Sequence, residues 1–194
     1  MSKEFIFLSE LIERRRAVYP PFYRPEKIDK NLIIKILKNA TWAPTHKRTE
    51  PWRFAVLTDT ALQKLSAALM QYYVQNTSQE LYAEAKHKKS GERPLQSACV
   101  LVICISRSSD SVIPAWEETA AVACAVQNMW LSASALGLGA YWSTPAAIKT
   151  LPKALGLPED WECLGLFYMG WLKEGYPLLS ERRAVDDVTI WLDS

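Results

Sequence analysis

Three arginines in a row stand at the end of the first predicted helix, and their chemistry points to an anionic ligand. Arg14, Arg15 and Arg16 carry planar guanidinium groups, which donate paired hydrogen bonds to phosphate oxygens. Cations at the C-terminal end of a helix are also stabilised by the helix dipole, without any ligand. The triplet therefore indicates either a phosphate site or an ordinary helix end, and both interpretations stay open.

A short loop between two prolines is the second candidate site. It brings one imidazole, two cations and two indole rings together: Trp42, Pro44, His46, Lys47, Arg48, Pro51 and Trp52. Such a mixture suits a flavin ring, which needs hydrogen-bond donors along its carbonyl edge and flat apolar surfaces against its faces. An exposed polar turn before a strand is the alternative. The clustering of polar groups in a stiff loop favours a binding role.

Two further stretches hold polar groups that could contact a ligand. Trp142, Ser143 and Thr144 lie where the chain passes from a predicted strand to a helix, a junction that offers backbone N–H groups and hydroxyls. A simple helix cap explains the same residues equally well. Arg182 and Arg183, near the C-terminus, are by themselves no more than a solvated pair of charges.

The composition argues against several classes of function. A net charge of +2 over 194 residues is too small to indicate nucleic-acid binding. The sequence lacks the glycine-rich motifs of Rossmann and P-loop proteins and the common motifs of zinc proteases and serine hydrolases. His46 and His87 are its only two histidines, so we expect no metal site.

The sequence also predicts where the protein resides. Four cysteines are spread along the chain in apolar surroundings: Cys99, Cys104, Cys124 and Cys163. This pattern predicts buried reduced thiols in a cytoplasmic protein. The N-terminal apolar run over residues 5–8 is too short for a signal peptide. The longest apolar stretch, residues 119–136, is interrupted by Gln127 and Asn128, which predicts a buried helix and no membrane span.

Helical and strand patterns alternate along the chain and predict the elements that must position these residues. Apolar residues at helical spacing predict helices at residues 5 to about 19, 25–41, from about 61 onward, 115–136, and after 145. We expect Thr58 and Asp59 to cap the third helix. Continuous apolar segments predict strands at 53–57, 98–105, 140–142 and 164–171. Residues 86–94 are polar and basic, which predicts an exposed mobile connection or a lid.

This order of elements predicts an α+β fold, in which a mixed sheet is flanked by helices around a long buried central helix. We expect a single domain over residues 1–194. The tail, about residues 173–194, has little capacity to form a core of its own. We therefore expect it to extend from the domain and to pack on a partner subunit.

Together, these motifs resemble the nitroreductase family. The Arg-Arg-x triplet is similar to the family's Arg-Arg-Ser signature, and residues 43–54 (Ala-Pro-Thr-His-Lys-Arg-Thr-Glu-Pro-Trp-Arg-Phe) resemble its Ala-Pro-Ser…Gln-Pro-Trp loop and strand. Residues 127–142 resemble the long central helix and the strand that follows it. Residues 165–170 resemble the last strand, and residues 181–188 the tail. The short chain and the Ala-Pro-x-His-Lys loop are similar to the minimal nitroreductases.

The resemblance implies a homodimer that binds FMN at two sites between the subunits. The phosphate and ribityl end of FMN would be held by Arg14, Arg15 and Arg16, with Arg182 or Arg183 adding a phosphate contact. The loop that approaches FMN across the dimer boundary would contribute His46, Lys47 and Arg48. The residues that line the ring from the main subunit would be Trp142, Ser143 and Thr144.

Three residues depart from the family pattern. Arg16 stands where the family has a serine, so a hydroxyl is lost and a charge is gained. Glu50 stands where glutamine is common, and Trp42 where some minimal members carry a basic residue. These departures concern the tuning of the flavin and the choice of substrate more than the fold.

The implied activity is hydride transfer from NADH or NADPH to FMN. Reduction of a small organic acceptor, such as a nitroaromatic or a quinone, would follow at the same place in a ping-pong mechanism. No side chain need act as an acid or base in the first half, so we predict no catalytic residue besides the cofactor. Two alternatives stay open: a non-catalytic flavin-binding module, or an enzyme of the same scaffold with other flavin chemistry, such as flavin fragmentation or reductive dehalogenation. A helix-rich interaction domain agrees least with the clustered arginines.

Overall fold

A four-stranded sheet forms the centre of the molecule in a computed structural model, which describes residues 1–109, 112–176 and 180–192. The strands are β1 (Trp52–Leu57), β2 (Cys99–Ile105), β3 (Leu138–Ser143) and β4 (Glu162–Trp171). Their order in the sheet is β1-β2-β4-β3, and all three pairs are antiparallel. The sheet is therefore antiparallel and not mixed as predicted, apart from one parallel bridge that joins Ala17 to Ala140 on β3 among the described residues. The α+β fold class is confirmed.

Six helices surround this sheet in the described part of the chain. They are α1 (Lys3–Arg14), α2 (Lys30–Ala40), α3 (Thr60–Gln75), α4 (Glu84–Leu95), α5 (Ala115–Ala135) and α6 (Leu151–Leu155). Helices α2 and α5 pack on one face of the sheet, α3 and α6 cover the other, and α4 packs against α3. The predicted long central helix is therefore confirmed as α5.

Strand β2 is buried along its whole length, as its continuous apolar sequence predicts. Successive side chains of a strand point to opposite faces. Leu101 and Ile103 accordingly join the core beneath α2 and α5, whereas Val100 and Val102 join the core beneath α3. Helices on both faces thus explain why this strand shows no alternation of polar and apolar residues.

The predicted start of α2 and the predicted cap of α3 differ from the structure. Helix α2 begins at Lys30 and not near residue 25, because the Asp29 carboxylate accepts a hydrogen bond from Asn31 N at 2.7 Å and fixes the first turn there. Asp59 occupies the cap position of α3 but makes no side-chain hydrogen bond to that helix. Its carboxylate instead lies 2.6 Å from Lys27 Nζ. Asp59 therefore stands at the predicted cap position, but the predicted capping hydrogen bond from its side chain is absent.

The prediction that residues 86–94 form a connecting loop is wrong, because this segment is part of α4. Gly91 and Pro94 are buried. A Cβ atom on Gly91 would lie 2.6 Å from Ser66 Oγ and 2.7 Å from Met70 Cγ, so glycine permits α3 and α4 to approach closely. Ser66 Oγ donates a hydrogen bond to Gly91 O at 2.8 Å. Tertiary packing against α3 therefore outweighs the low helix propensity of Gly91 and Pro94.

Several apolar residues and one thiol face outward in the single chain. Only Leu11 of α1 is buried, and Phe5, Leu8 and Ile12 are exposed. Cys99, Cys104 and Cys163 are buried as predicted, but Cys124 is exposed on α5, which corrects the prediction for that thiol.

In the described tail, residues 180–192, every residue is exposed, including the apolar ones. In the described part of the chain, no helix is both long and apolar enough to cross a membrane.

Candidate functional site

The arginine triplet lies along the free edge of β3. Val18 N donates a hydrogen bond to Ala140 O at 2.9 Å, next to the bridge between Ala17 and Ala140. Trp130 of α5 donates from Nε1 to Arg16 O at 3.1 Å. These two contacts hold the segment after α1 between the sheet edge and the C-terminal half of α5.

The three guanidinium groups point in different directions. Arg14 and Arg16 line a cavity of about 270 Å³ at the end of α5. Arg15 lies over the ring of Trp130, with Cζ 4.7 Å from the ring centroid. Arg16 donates from Nη1 to the carbonyl oxygens of Glu13 and Arg15, whereas its Nε is buried without a partner in the described structure. The structure therefore does not bring all three groups to one point.

The positive charges of two other arginines act on Arg15. Burial lowers the pKa of the Arg15 guanidinium, and the positive charges of Arg16 and Arg182 lower it further. Arg182, which the sequence placed in the tail, is thus close enough to Arg15 to repel it. Arg183 lies exposed in the same tail segment. Such a group of like charges is stabilised by a bound anion.

The residues at the end of β3 continue the same sheet edge. Because backbone groups alternate in direction along a strand, the N–H and C=O of Trp142 face the same edge as Ala140 O. Trp142 Nε1 is buried and has no hydrogen-bond partner among the described residues. Its ring packs on Gly165 of β4, where a Cβ atom would lie 2.3 Å from Nε1. Ser143 and Thr144 follow, half-buried and exposed respectively.

Sequence reasoning missed Arg93 of α4, which lies beside this edge. Its guanidinium carbon lies 5.6 Å from the ring centroid of Tyr141, and its Nη1 is 3.5 Å from the Tyr141 hydroxyl. Tyr19 contacts the same ring, with 4.5 Å between the centroids. The helical spacing of Lys86, Lys89 and Arg93 could have identified Arg93 as a candidate. The interpretation of this segment as a loop left that spacing out of consideration.

A cavity of about 540 Å³ opens beyond Arg93, between α3, α4 and the end of β3. Its lining includes tyrosines, cations and small polar side chains: Tyr72, Tyr73, Asn76, Thr77, Lys86, Lys89, Ser90, Arg93, Ser143 and Tyr168. Its volume lies within the range of about 300–1,000 Å³ that is typical of small-molecule sites. Ser143 joins this cavity to the edge of β3.

The loop with His46, Lys47 and Arg48 lies elsewhere in the chain. His46 Nδ1 is 2.5 Å from the carboxylate of Glu117, in the first turn of α5. Glu117 and Trp130 are about 20 Å apart along α5, from a rise of 1.5 Å per residue. Within one chain, this loop and the arginine cluster therefore lie at different ends of the same helix.

The backbone of this loop is strained. Lys47 and Arg48 have φ values of +48° and +56°, and Glu50 has +44°. Residues other than glycine rarely adopt this left-handed conformation. Thr45 Oγ1 accepts a hydrogen bond from Glu50 N at 3.1 Å and lies 3.0 Å from Thr49 Oγ1, which stabilises the turn. Strain of this kind is concentrated at binding and catalytic sites.

Comparison with known proteins identifies relatives of this chain. A protein named 5,6-dimethylbenzimidazole synthase from Rhodospirillum rubrum is 28% identical over 181 residues, which cover 88% of this chain and 84% of that protein. YdjA of Escherichia coli K12, named as an NAD(P)H nitroreductase, is 26% identical over 140 residues, 71% of this chain and 74% of YdjA.

Solved structures show the same fold. A nitroreductase-like family protein from Bacillus cereus has a TM-score of 0.80 at 23% identity and covers 96% of both chains. The FMN-dependent nitroreductase NfnB of Mycobacterium smegmatis, solved in complex with NADPH, has a TM-score of 0.77 at 15% identity, over 96% of this chain and 98% of NfnB. The sequence model of the nitroreductase family matches residues 12–171. This match spans most of the sequence, and the chain therefore belongs to the nitroreductase family.

Proposed function

We propose that this protein is an FMN-dependent oxidoreductase, which takes hydride from NADH or NADPH and reduces a small organic acceptor by a ping-pong mechanism. One observation carries the proposal. The segment that follows the arginines pairs with β3 at Ala140, and the same strand leads to the buried donor Trp142 Nε1 and, at Ser143, to a cavity that could take a second ligand. A cofactor with a phosphate at one end and a flat ring at the other matches this arrangement.

The residues present fit FMN at both of its ends. A phosphate dianion would relieve the repulsion that Arg16 and Arg182 exert on Arg15. Among the described residues, Arg16 Nε is a buried donor without a partner. At the ring end, Trp142 Nε1 and the backbone of the β3 edge offer further donors. The charge of Arg93 would favour negative charge on the ring.

When bound, FMN supplies hydride acceptance and donation at its N5 atom. The arginines of this protein would hold the phosphate, and Trp142 with the edge of β3 would hold the ring. Cations near the ring edge stabilise the charge that reduction produces there. In this proposal no side chain exchanges a proton in the first half-reaction.

We propose that each site is completed by the partner subunit of a homodimer. His46, Lys47 and Arg48 lie about 20 Å along α5 from the arginines of their own chain, so they cannot hold the same cofactor. A two-fold dimer would bring this loop of one subunit to the arginine cluster of the other. The outward apolar residues of α1 and the tail supply surface for such an interface.

The spectrum of the purified protein tests the proposed function. We expect flavin absorption bands that bleach when NADH or NADPH is added without oxygen. Bands that persist after addition of either donor would contradict the enzyme and favour a flavin-binding module. A colourless protein that takes up no added FMN would overturn the cofactor assignment.

Mixing two variants tests the shared site. Arg15→Ala and His46→Ala would each weaken both sites of a homodimer. In mixed dimers one of the two sites would keep both residues, so random exchange should restore about a quarter of wild-type flavin binding. No recovery after proven subunit exchange would show that both residues act within one chain.

A second candidate function is flavin fragmentation, and one specific observation favours it. The relative from Rhodospirillum rubrum is named a synthase of 5,6-dimethylbenzimidazole, which carries a dimethylbenzene ring like that of flavin. Incubation of the reduced holoenzyme with oxygen, followed by product analysis, distinguishes the two functions. Intact FMN after many turnovers would exclude fragmentation.

We further propose that the described fold forms one domain and that the protein resides in the cytoplasm. Unpaired thiols at Cys99, Cys104, Cys124 and Cys163 support the second proposal, because they persist in a reducing compartment.

A further inference from the structure

Three cations of α4 face the cavity of about 540 Å³ between α3 and the end of β3. Lys86, Lys89 and Arg93 are spaced three and four residues apart, which places them on one side of the helix. Among the described residues that line the cavity, none is acidic. In the described part of the chain, neither lysine has an ion-pair partner. The cavity therefore carries positive charge that the protein itself does not neutralise.

The proposed cofactor does not account for these lysines. The fixed charge of FMN is its phosphate, which we assign to Arg15, Arg16 and Arg182. Lys89 lies about 6 Å and Lys86 about 10 Å from Arg93 along the axis of α4, further from the β3 edge on which the ring is proposed to lie. These two cations are thus available to a second ligand.

Aromatic side chains form the walls of the same cavity. Tyr72 and Tyr73 of α3 are half-buried, and Tyr168 of β4 is buried. The Tyr73 hydroxyl accepts a hydrogen bond from Ala83 N at 3.2 Å, and its ring stacks on His87 with 6.1 Å between the centroids. Walls held in this way offer flat apolar surface to a planar ring.

We propose that this cavity binds the acceptor, that the acceptor is an aromatic ring with an anionic group, and that Lys86 and Lys89 select for that group. The inference rests on the proposed function, since the cavity adjoins the proposed flavin ring at Ser143. An aromatic acid has a ring and an anionic group, and so does the nicotinamide dinucleotide donor. The experiment below distinguishes binding of the aromatic acid from binding of the donor.

The test compares two acceptors of similar shape, 4-nitrobenzoate and 4-nitrobenzyl alcohol, with the wild-type holoenzyme and a Lys86→Gln/Lys89→Gln variant. We expect the ratio of kcat/KM for the acid to kcat/KM for the alcohol to fall by up to about tenfold in the variant, since Lys86 and Lys89 are exposed and two exposed charge pairs contribute at most about that much together. Lys88→Gln removes one lysine charge from a position of α4 that does not line the cavity, and its ratio should equal that of the wild type.

Binding of benzoate, measured by calorimetry, gives a readout that needs no turnover and no flavin. We expect the dissociation constant to rise about tenfold in the double variant and the wild-type affinity to weaken as salt is added. An unchanged acceptor ratio together with unchanged benzoate binding would overturn the inference. An increase in the KM for NADH alone would assign the lysines to the donor and would also overturn it.

These outcomes differ from a failure of the proposed function. A protein that binds no FMN, or whose flavin is not reduced by NADH or NADPH, would contradict the oxidoreductase itself. The calorimetric measurement would still decide whether the lysines bind an aromatic acid.

Discussion

At the scale of a single residue, the backbone conformation of Gly165 affects the proposed flavin site, because the Trp142 ring packs on this glycine. Its φ of +149° and the contacts that a Cβ atom would make, 2.3 Å to Trp142 Nε1 and 2.7 Å to Ser143 O, both require glycine. We expect Gly165→Ala to lower the free energy of unfolding by about 1–3 kcal/mol and to displace the Trp142 ring. Urea unfolding and the flavin content of the purified protein measure the two effects.

Gly156→Ala is the matched control for backbone strain. Gly156 has a φ of +70°, and a Cβ atom there would meet nothing within 4 Å. This variant should lose about 1 kcal/mol of stability and keep its flavin. Equal flavin content in the two variants would show that Trp142 does not contribute to flavin binding.

Tyr23 is a second residue on which the proposed phosphate site depends. Its buried hydroxyl donates a hydrogen bond to Val18 O at 2.6 Å, directly after the arginine segment. Tyr23→Phe leaves that carbonyl without this donor and should lower the free energy of unfolding by about 1–2 kcal/mol. Urea unfolding measures the change. Wild-type stability in this variant would mean that the hydrogen bond does not hold the segment.

At the scale of elements, α4 is where the structure differs most from the sequence prediction. Lys86, Lys88 and Lys89 are three potential trypsin sites in a segment whose sequence predicts a loop, whereas Pro94 blocks cleavage after Arg93. Because the structure packs them on a helix against α3, we expect trypsin to cleave there no faster than the protein unfolds globally. Limited proteolysis with mass spectrometry of the fragments measures this.

Gly91→Val is the variant that should expose these sites. A larger side chain would push α4 away from Ser66 and Met70, so cleavage within α4 should become fast. Fast cleavage of the wild-type protein between residues 86 and 93 would instead favour the mobile connection.

Because strand β2 buries a thiol, the free energy of unfolding should depend on pH in the alkaline range. Burial raises the pKa of the Cys99 thiol from its ordinary 9.0 to about 12. The unfolded chain therefore releases this proton first, so the stabilisation is present below about pH 9 and is lost as the pH rises towards 12. Burial also raises the pKa of Tyr23 and of Tyr168, which acts in the same direction at higher pH.

We expect the free energy of unfolding to decrease above about pH 9 by up to about 1.4 kcal/mol per pH unit from Cys99 alone. Urea titrations at a series of pH values measure this slope. Cys99→Ala removes the thiol, and its slope just above pH 9 should be smaller. Identical slopes for the two proteins would contradict the assignment to Cys99.

At the scale of the whole molecule, Cys124 reports on the proposed dimer. It is exposed on α5 in the single chain, whereas Cys99, Cys104 and Cys163 are buried. Helix α5 is rich in apolar residues on several sides, which is typical of a helix covered all around. We expect a mass of about twice 22.0 kDa in sedimentation equilibrium and slow labelling of Cys124 by a maleimide.

Urea provides the reference for this measurement, because all four cysteines should react once the chain is unfolded. A single-chain mass would contradict the dimer. A dimeric mass with fast labelling of Cys124 would place the interface away from this face of α5.

The sequence by itself determined the elements with long apolar patterns. Helix α5, strand β2 and the α+β class follow from local periodicity, because burial on two sides leaves a continuous apolar signature. The order of the short motifs was enough to indicate the nitroreductase family, which the match over residues 12–171 shows.

Only the tertiary structure decided which candidate residues share a site. The sequence treats Arg14, Arg15 and Arg16 as one cluster, but α1 ends at Arg14 and the backbone at Arg15 is extended, with a ψ of +127°. Alternate side chains of an extended segment point to opposite sides, so Arg15 faces Trp130 whereas Arg14 and Arg16 face the end of α5. The approach of Arg182 to Arg15 and the stripe of cations on α4 depend on contacts between distant segments. Local pattern carries no information about such contacts, because they are set by how helices and strands pack.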